Sequence, residues 1–221
     1  MKGLHGGASS RIRNSRLHLV TDRSLCPNNL VEAIAASVHG GVDVVHLREG
    51  DLTARELLAM ALQVREVIGS RAALIVNDRL DVALATGAEG VQLGAGSLPV
   101  SVARQVVGRR MAIGVSVHGL EEAVQAEKNG ADYLILGTIY PSRSHPGYTA
   151  SGTALVREVV AEVSVPVFAI GGVNAANVSE VIAAGSQGAA VISAILADPD
   201  PEAAARRLRQ LIGSGMPRKF G

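Results

Sequence analysis

The sequence predicts a single-domain (β/α)8 TIM barrel, on three observations. From residue 17 onward, short β-branched runs alternate with Ala/Leu/Glu-rich stretches of helical period. Strict alternation calls for an all-parallel sheet, and the eight units counted along the chain favour closure over an open sheet. Near the end, PVFAIGGVN and GSQGAAVISAIL form two adjacent strand-to-helix turns built from small residues. In a barrel of this kind the loops after the seventh and eighth strands hold a phosphate.

Taken in order, the strand candidates are 17–21, 42–47, 73–76, 90–93, 111–115, 133–136, 167–170 and 189–192. Helix candidates lie between and after them at 29–38, 53–68, 80–85, 100–107, 120–128, 154–161, 175–183 and 201–212. Gly41, Gly90, Gly130, Pro166 and Gly188 stand where a helix must stop before the next strand. Residues 1–15 are Gly/Ser/Arg-rich and read as a disordered tail, so the barrel is assigned to 16–213 and a C-terminal tail to 214–221. The longest connection, 137–152, follows the sixth strand with Pro141 and Pro146 and reads as a lid over the barrel mouth.

A chain of 221 residues can bury one large core, and 48% apolar with 2% aromatic residues points to a filling of Val, Ile, Leu and Ala. A net charge of +1 and the lack of a basic stripe with interleaved aromatics argue against nucleic acid and acidic membranes as partners. No stretch approaches the roughly 20 apolar residues of a bilayer span, and the first 16 residues carry no apolar leader core. The expected location is the cytoplasm. The one cysteine, Cys26, excludes an internal disulfide and cannot make a metal cluster by itself.

Barrel function sits at the C-terminal ends of the strands. The second strand ends in His46-Leu47-Arg48-Glu49, and alternation places His46 and Arg48 on one face, aimed at the mouth; Arg48-Glu49 also reads as a surface ion pair. The third ends in Asn77-Asp78, which reads as a helix cap or as a ligand contact through Asn77 and a Mg²⁺ contact through Asp78. The fifth ends in Ser116-Val117-His118, and a histidine at a mouth suits acid/base work or a local hydrogen bond. Ser142, Arg143, Ser144 and His145 on the lid suit an anionic substrate or an ordinary polar loop. His18, mid-strand, and His39, at a helix end, are assigned to structure. At the two late turns, backbone N–H groups around Gly171-Gly172 and Ser193 beside helix ends make a phosphate seat. No HExxH, nucleophile elbow, Walker loop or Cys/His cluster is present, which argues against metalloprotease, serine hydrolase and P-loop chemistry.

The motifs LVTDR, VVHLRE, VNDR, GVQLG, SLP, IGVSVH, LEEAVQAEKNGADY, PSRSHPG, AIGGV and VISAI, in this order over 17–196, resemble the thiamine phosphate synthase/TenI family. The resemblance implies a (β/α)8 barrel of vitamin B1 synthesis and a homodimer. One branch joins a hydroxymethylpyrimidine diphosphate to a thiazole phosphate with Mg²⁺; the TenI branch tautomerises a carboxythiazole phosphate. Arg48 and Asp78 match the synthase pattern. His46 replaces its glutamine, Gly50 and His145 replace lysines, and Ser97 replaces the second metal aspartate. Losing several charge-assisted contacts of about 1.5–3 kcal/mol each weighs against diphosphate chemistry.

The expectation drawn from this is a thiazole tautomerase, an isomerase needing no cofactor, with thiazole phosphate as its small-molecule partner. The resemblance matches the phosphate seat at Gly171, Gly172, Ile192 and Ser193. In this reading His118 shuttles the proton, with His46 and His145 as alternatives, while Arg48, Asn77, Ser116, Thr138, Ser142 and Ser144 contact substrate. Thr138 stands where the tautomerase pattern has a histidine. The alternatives are a thiamine phosphate synthase, with Mg²⁺ on Asp78 and with Arg143 and Arg79 standing in for lysines, and a non-catalytic binder or sensor of thiazole phosphate.

Overall fold

An isolated strand leaves its backbone N–H and C=O groups unpaired, and a closed sheet satisfies them all. The computed structural model describes residues 7–26, 29–142 and 149–214. The strands β1 (Leu17–Val20), β2 (Val44–Leu47), β3 (Ala73–Asn77), β4 (Gly90–Leu93), β5 (Ala112–Val117), β6 (Tyr133–Leu136), β7 (Val167–Ala169) and β8 (Gly188–Val191) form a closed barrel in chain order. All pairs are parallel, and β8 meets β1 with Leu17 opposite Ala189. At this seam Gly188 has no room for a side chain, because a Cβ there would run into the Arg16 carbonyl.

Around the sheet lie α1 (Gly7–Asn14), α2 (Leu30–His39), α3 (Ala54–Ile68), α4 (Leu80–Thr86), α5 (Val100–Val107), α6 (Leu120–Lys128), α7 (Gly152–Glu162), α8 (Val178–Ala183), α9 (Ser193–Leu196) and α10 (Pro201–Ser214). Their ends follow local chemistry. Thr53 and Glu56 make a reciprocal capping box that starts α3, and Gly87 takes a left-handed conformation to end α4. Among the described residues no helix is long and apolar enough to cross a membrane.

Three features depart from the sequence reading. Residues 7–14 are helical rather than a disordered tail. Ile12 is buried, Arg11 Nη2 donates to the Ser70 carbonyl (2.9 Å), and Gln187 Nε2 donates to the Arg13 carbonyl (2.8 Å). These contacts hold α1 beneath the barrel, against β3 and β5. One apolar residue gives no periodic signal, so the helix depends on tertiary partners. Residues 1–6 and 215–221 lie outside the described residues.

Second, the centre of the barrel is not simply aliphatic. The His18 ring lies 3.9 Å from Phe168 across the barrel, between centroids, and 5.1 Å from His46, and Tyr133 meets all three rings edge-on. Gly114, between Gln92 and Tyr133 in register, makes room for this layer: a Cβ there would strike both. Two of the five aromatic residues, Tyr133 and Phe168, lie inside the sheet. Third, α8 begins at Val178, not at 175, because Asn174 and Asn177 fold the preceding segment into side-chain-capped turns.

Candidate active site

The C-terminal ends of the strands open into a cavity of about 860 Å³. Its lining includes ten of the expected residues: His46, Arg48, Asn77, Ser116, His118, Thr138, Gly171, Gly172, Ile192 and Ser193. Asp78 and Ser142 also line it. Ser144 and His145, with Arg143, lie outside the described residues, which lack 143–148 of the expected lid.

The residues expected to seat a phosphate assemble as a backbone structure. Adjacent pairing of β7 and β8 puts Gly171 and Gly172 beside Ile192 and Ser193 on one wall. The two glycines have φ of +92° and +65°, where a side chain is strained. They are also pressed from behind. The segment after β6 donates from Ile139 N to the Ile170 carbonyl (3.0 Å) and from Tyr140 N to the Gly171 carbonyl (2.9 Å). A Cβ on Gly171 would come within 2.7 Å of Thr138 Cγ2, and one on Gly172 within 2.5 Å of the Pro141 carbonyl. Asn174 and Asn177 amides donate to the Gly172 carbonyl at 3.1 and 3.0 Å, which satisfies that oxygen and fixes its peptide. Among the described residues nothing accepts from the N–H groups of Gly171, Gly172 or Val173. Ser193 and Ala194 open α9, so their N–H groups have no carbonyl a turn earlier in the helix. Because α9 is one turn and α8 starts late, the attraction for an anion comes mostly from aimed N–H groups rather than two long helix dipoles.

The opposite wall is made of side chains. Thr21 N donates to the His46 carbonyl and Arg48 N to Thr21 Oγ1, both at 2.9 Å, which fixes where β2 ends and Arg48 begins. Arg48 is exposed at the cavity, and its guanidinium has no partner among the described residues. Glu49 does not pair with it. Glu49 is buried, accepts from Arg23 N (3.2 Å) and faces the Arg23 guanidinium at 3.5 Å, tying the loop after β1 to β2. Asp78, at φ +60°, accepts from the Ser97 hydroxyl, which in turn accepts from Gly94 N (2.6 Å). Arg79 forms a bidentate pair with Asp81 and is not among the lining residues, so it does not stand in for a missing lysine. Gln92 Nε2 donates to Ser116 Oγ at 3.0 Å. Among the described residues Asn77 Oδ1, Gln92 Oε1 and Tyr133 Oη are buried without a partner, polar capacity left over at this wall and beneath it.

The histidines differ from their expected roles. His46 is almost fully buried, its Nε2 2.9 Å from His18 Nδ1, and desolvation pushes its pKa down to about 3. It is therefore neutral near pH 7 and has no proton to give as an acid there. His118 is exposed at the mouth, and its Nδ1 donates to the Gly137 carbonyl at 2.5 Å, which fixes a proton on that nitrogen. Thr138 is buried and cannot replace an imidazole in proton transfer.

Sequence reasoning passed over Gln92 and Asp22, which line the cavity, and the His18 contact below it. Gln92 was legible in principle: a lone amide inside an otherwise apolar strand, GVQL, must find a partner or a ligand. Among the described residues no three His, Cys, Asp or Glu side chains gather as a metal cluster. Asp78 with Ser97 offers one carboxylate and one hydroxyl, enough for a Mg²⁺ ion only if substrate phosphates complete its shell.

Comparison with known proteins agrees with this geometry. A family described as thiamine monophosphate synthase matches residues 17–195. A putative thiamine-phosphate synthase of Geobacter sulfurreducens is 43% identical over 201 residues, covering 89% of this chain and 93% of that protein. The thiamine-phosphate synthase of Methanospirillum hungatei is 44% identical over 200 residues, covering 89% and 97%. The solved structure of thiamine phosphate pyrophosphorylase from Pyrococcus furiosus superposes with a TM-score of 0.86 at 37% identity, covering 93% of this chain and all of that one (100%). With its barrel matched from end to end, the chain belongs to the thiamine monophosphate synthase/TenI family of thiamine-biosynthesis enzymes.

Proposed function

We propose that this protein is a thiamine phosphate synthase, which joins a hydroxymethylpyrimidine diphosphate to a thiazole phosphate. The bond from the pyrimidine methylene carbon to diphosphate breaks, a bond from that carbon to the thiazole nitrogen forms, and diphosphate leaves with the electron pair. The observation that carries this reading is a cavity of about 860 Å³ with two unlike walls, at the large end of the roughly 300–1,000 Å³ usual for small-molecule sites. One wall is a backbone seat suited to a phosphate monoester; the other offers Arg48, Asn77, Gln92, Ser116 and Asp78 to a second, polar ligand.

The tautomerase expectation has less support. The relatives compared above carry synthase or pyrophosphorylase names, Thr138 stands where the tautomerase pattern has a histidine, and His46, one alternative to the expected shuttle His118, is neutral near pH 7. His118 stands at the mouth, where its ring can contact the leaving group or the incoming thiazole.

In this reading the thiazole phosphate is held by Gly171, Gly172, Ile192 and Ser193, which aligns the ring across the cavity from the pyrimidine. Arg48 contacts the diphosphate, where its fixed positive charge stabilises the departing anion. Asp78 and Ser97 would hold a Mg²⁺ ion jointly with the diphosphate, and such an ion neutralises charge on the leaving group.

The test is to supply both substrates with Mg²⁺ and measure thiamine phosphate and diphosphate together. Equal amounts of the two products support the reading. Aromatisation of the carboxythiazole tautomer without coupling overturns it in favour of the isomerase, and binding without any turnover overturns it in favour of a sensor.

A further inference from the structure

A line of hydrogen bonds runs from the bottom helix to the cavity wall, and its direction can be worked out. Ser15, just past α1, is buried, and its Oγ lies 2.6 Å from the Ile12 carbonyl. Two oxygens at that distance repel unless a hydrogen lies between them, so the serine hydroxyl donates to Ile12. A hydroxyl has one hydrogen. The contact of Ser15 Oγ with His18 Nε2, at 2.7 Å, must then be a donation from the ring.

A neutral imidazole carries one N–H, which leaves His18 Nδ1 bare. Its partner at 2.9 Å is His46 Nε2, which must donate in turn. The hydrogen of His46 is thereby committed to the core, and Nδ1 is left as its only acceptor. Nothing nearby opposes this. Tyr133 and Phe168 face the rings from β6 and β7, and neither carries a charge at neutral pH; burial holds the Tyr133 phenol in its protonated form. Protonating either histidine would place a cation in a dry interior, and burial lowers the pKa of both.

We propose that Ser15 and His18 are positioning residues that act through His46, locking it as the Nε2–H tautomer so that the cavity wall presents a bare imidazole nitrogen to an N–H donor on the ligand. A ligand of this chemistry is a heterocycle with an exocyclic amine, and its identification with the pyrimidine substrate rests on the synthase reading. The helix under the barrel is then part of the binding site, although it lies at the far end from the mouth.

The lock can be read without activity. In the full-length protein labelled with ¹⁵N-histidine, His46 and His18 should both give the neutral Nε2–H pattern at pH 7. Ser15→Ala removes what sets the direction, and a second tautomer should appear for both rings; Ser15→Thr restores the hydroxyl and the single pattern. In the coupling assay Ser15→Ala should raise KM for the pyrimidine diphosphate about three- to tenfold, the loss of one hydrogen bond, with kcat and thiazole phosphate affinity little changed. His18→Phe should give the same KM shift. A wild-type His46 carrying its hydrogen on Nδ1, or a Ser15→Ala protein with unaltered tautomers and KM, overturns the proposal. If the wild type shows no coupling, the synthase reading fails, and the tautomer spectra still decide the lock.

Discussion

The two walls of the cavity are built on different principles. The wall after β7 and β8 is made of backbone, held by glycines that cannot be replaced because Thr138, Tyr140 and Pro141 press on them. The wall from β2 to β5 is made of side chains, several with polar atoms unpaired or, like Arg48, without a partner among the described residues. A backbone seat is preorganised and indifferent to what the phosphate is attached to. A side-chain wall can vary within one fold.

Substitutions should separate the walls. The largest effect is expected from Gly172→Ala, which combines a positive φ costing about 1–3 kcal/mol with a clash of similar size. Thiazole phosphate affinity measured by calorimetry should fall about a hundredfold as one or two N–H contacts are displaced. Unchanged affinity would break the assignment of that wall. Next comes Arg48→Ala, expected to lower kcat/KM for the pyrimidine diphosphate about 10- to 150-fold, one charge-assisted contact, with thiazole phosphate binding intact. If both ligands weakened equally, the walls would not be independent.

Acid should expose the buried histidines. His46 has a folded pKa of about 3 against an ordinary 6.5, and His18 is shifted in the same direction. Between those values the unfolded chain binds more protons, so stability is fully present above about pH 6.5 and is lost as the pH falls towards 3. By pH 5 the loss due to His46 should amount to about 2 kcal/mol in denaturant unfolding. His46→Gln should flatten that slope, and an equally steep slope in the variant would place the sensitivity elsewhere. The smallest effect is a gain. Ser97→Asp puts a second carboxylate beside Asp78, and the Mg²⁺ concentration for half-maximal coupling should drop severalfold.

The contrast between walls also explains what could be read in the sequence. Eight β-branched runs and their punctuating glycines announce the barrel, and Gly171-Gly172 with Ser193 announces the seat, because backbone sites need particular small residues at particular turns. The side-chain wall is harder. A barrel strand is covered on both faces, so its apolar run does not say which residues point inward, and His18, Gln92 and Tyr133 look like any mid-strand positions. Alternation aims His46 at the mouth and it does line the cavity, but burial pushes its pKa down to about 3, which strand periodicity could not reveal. The α1 helix was invisible because Ile12 is its sole buried apolar side chain among the described residues.

The account stands on each wall taking its own ligand at the same time. The direct measurement is a titration of thiazole phosphate into protein saturated with a pyrimidine analogue whose diphosphate cannot leave. The account predicts one thiazole phosphate bound per chain with the analogue still in place. Displacement of the analogue, with a single ligand bound at any one time, would contradict it.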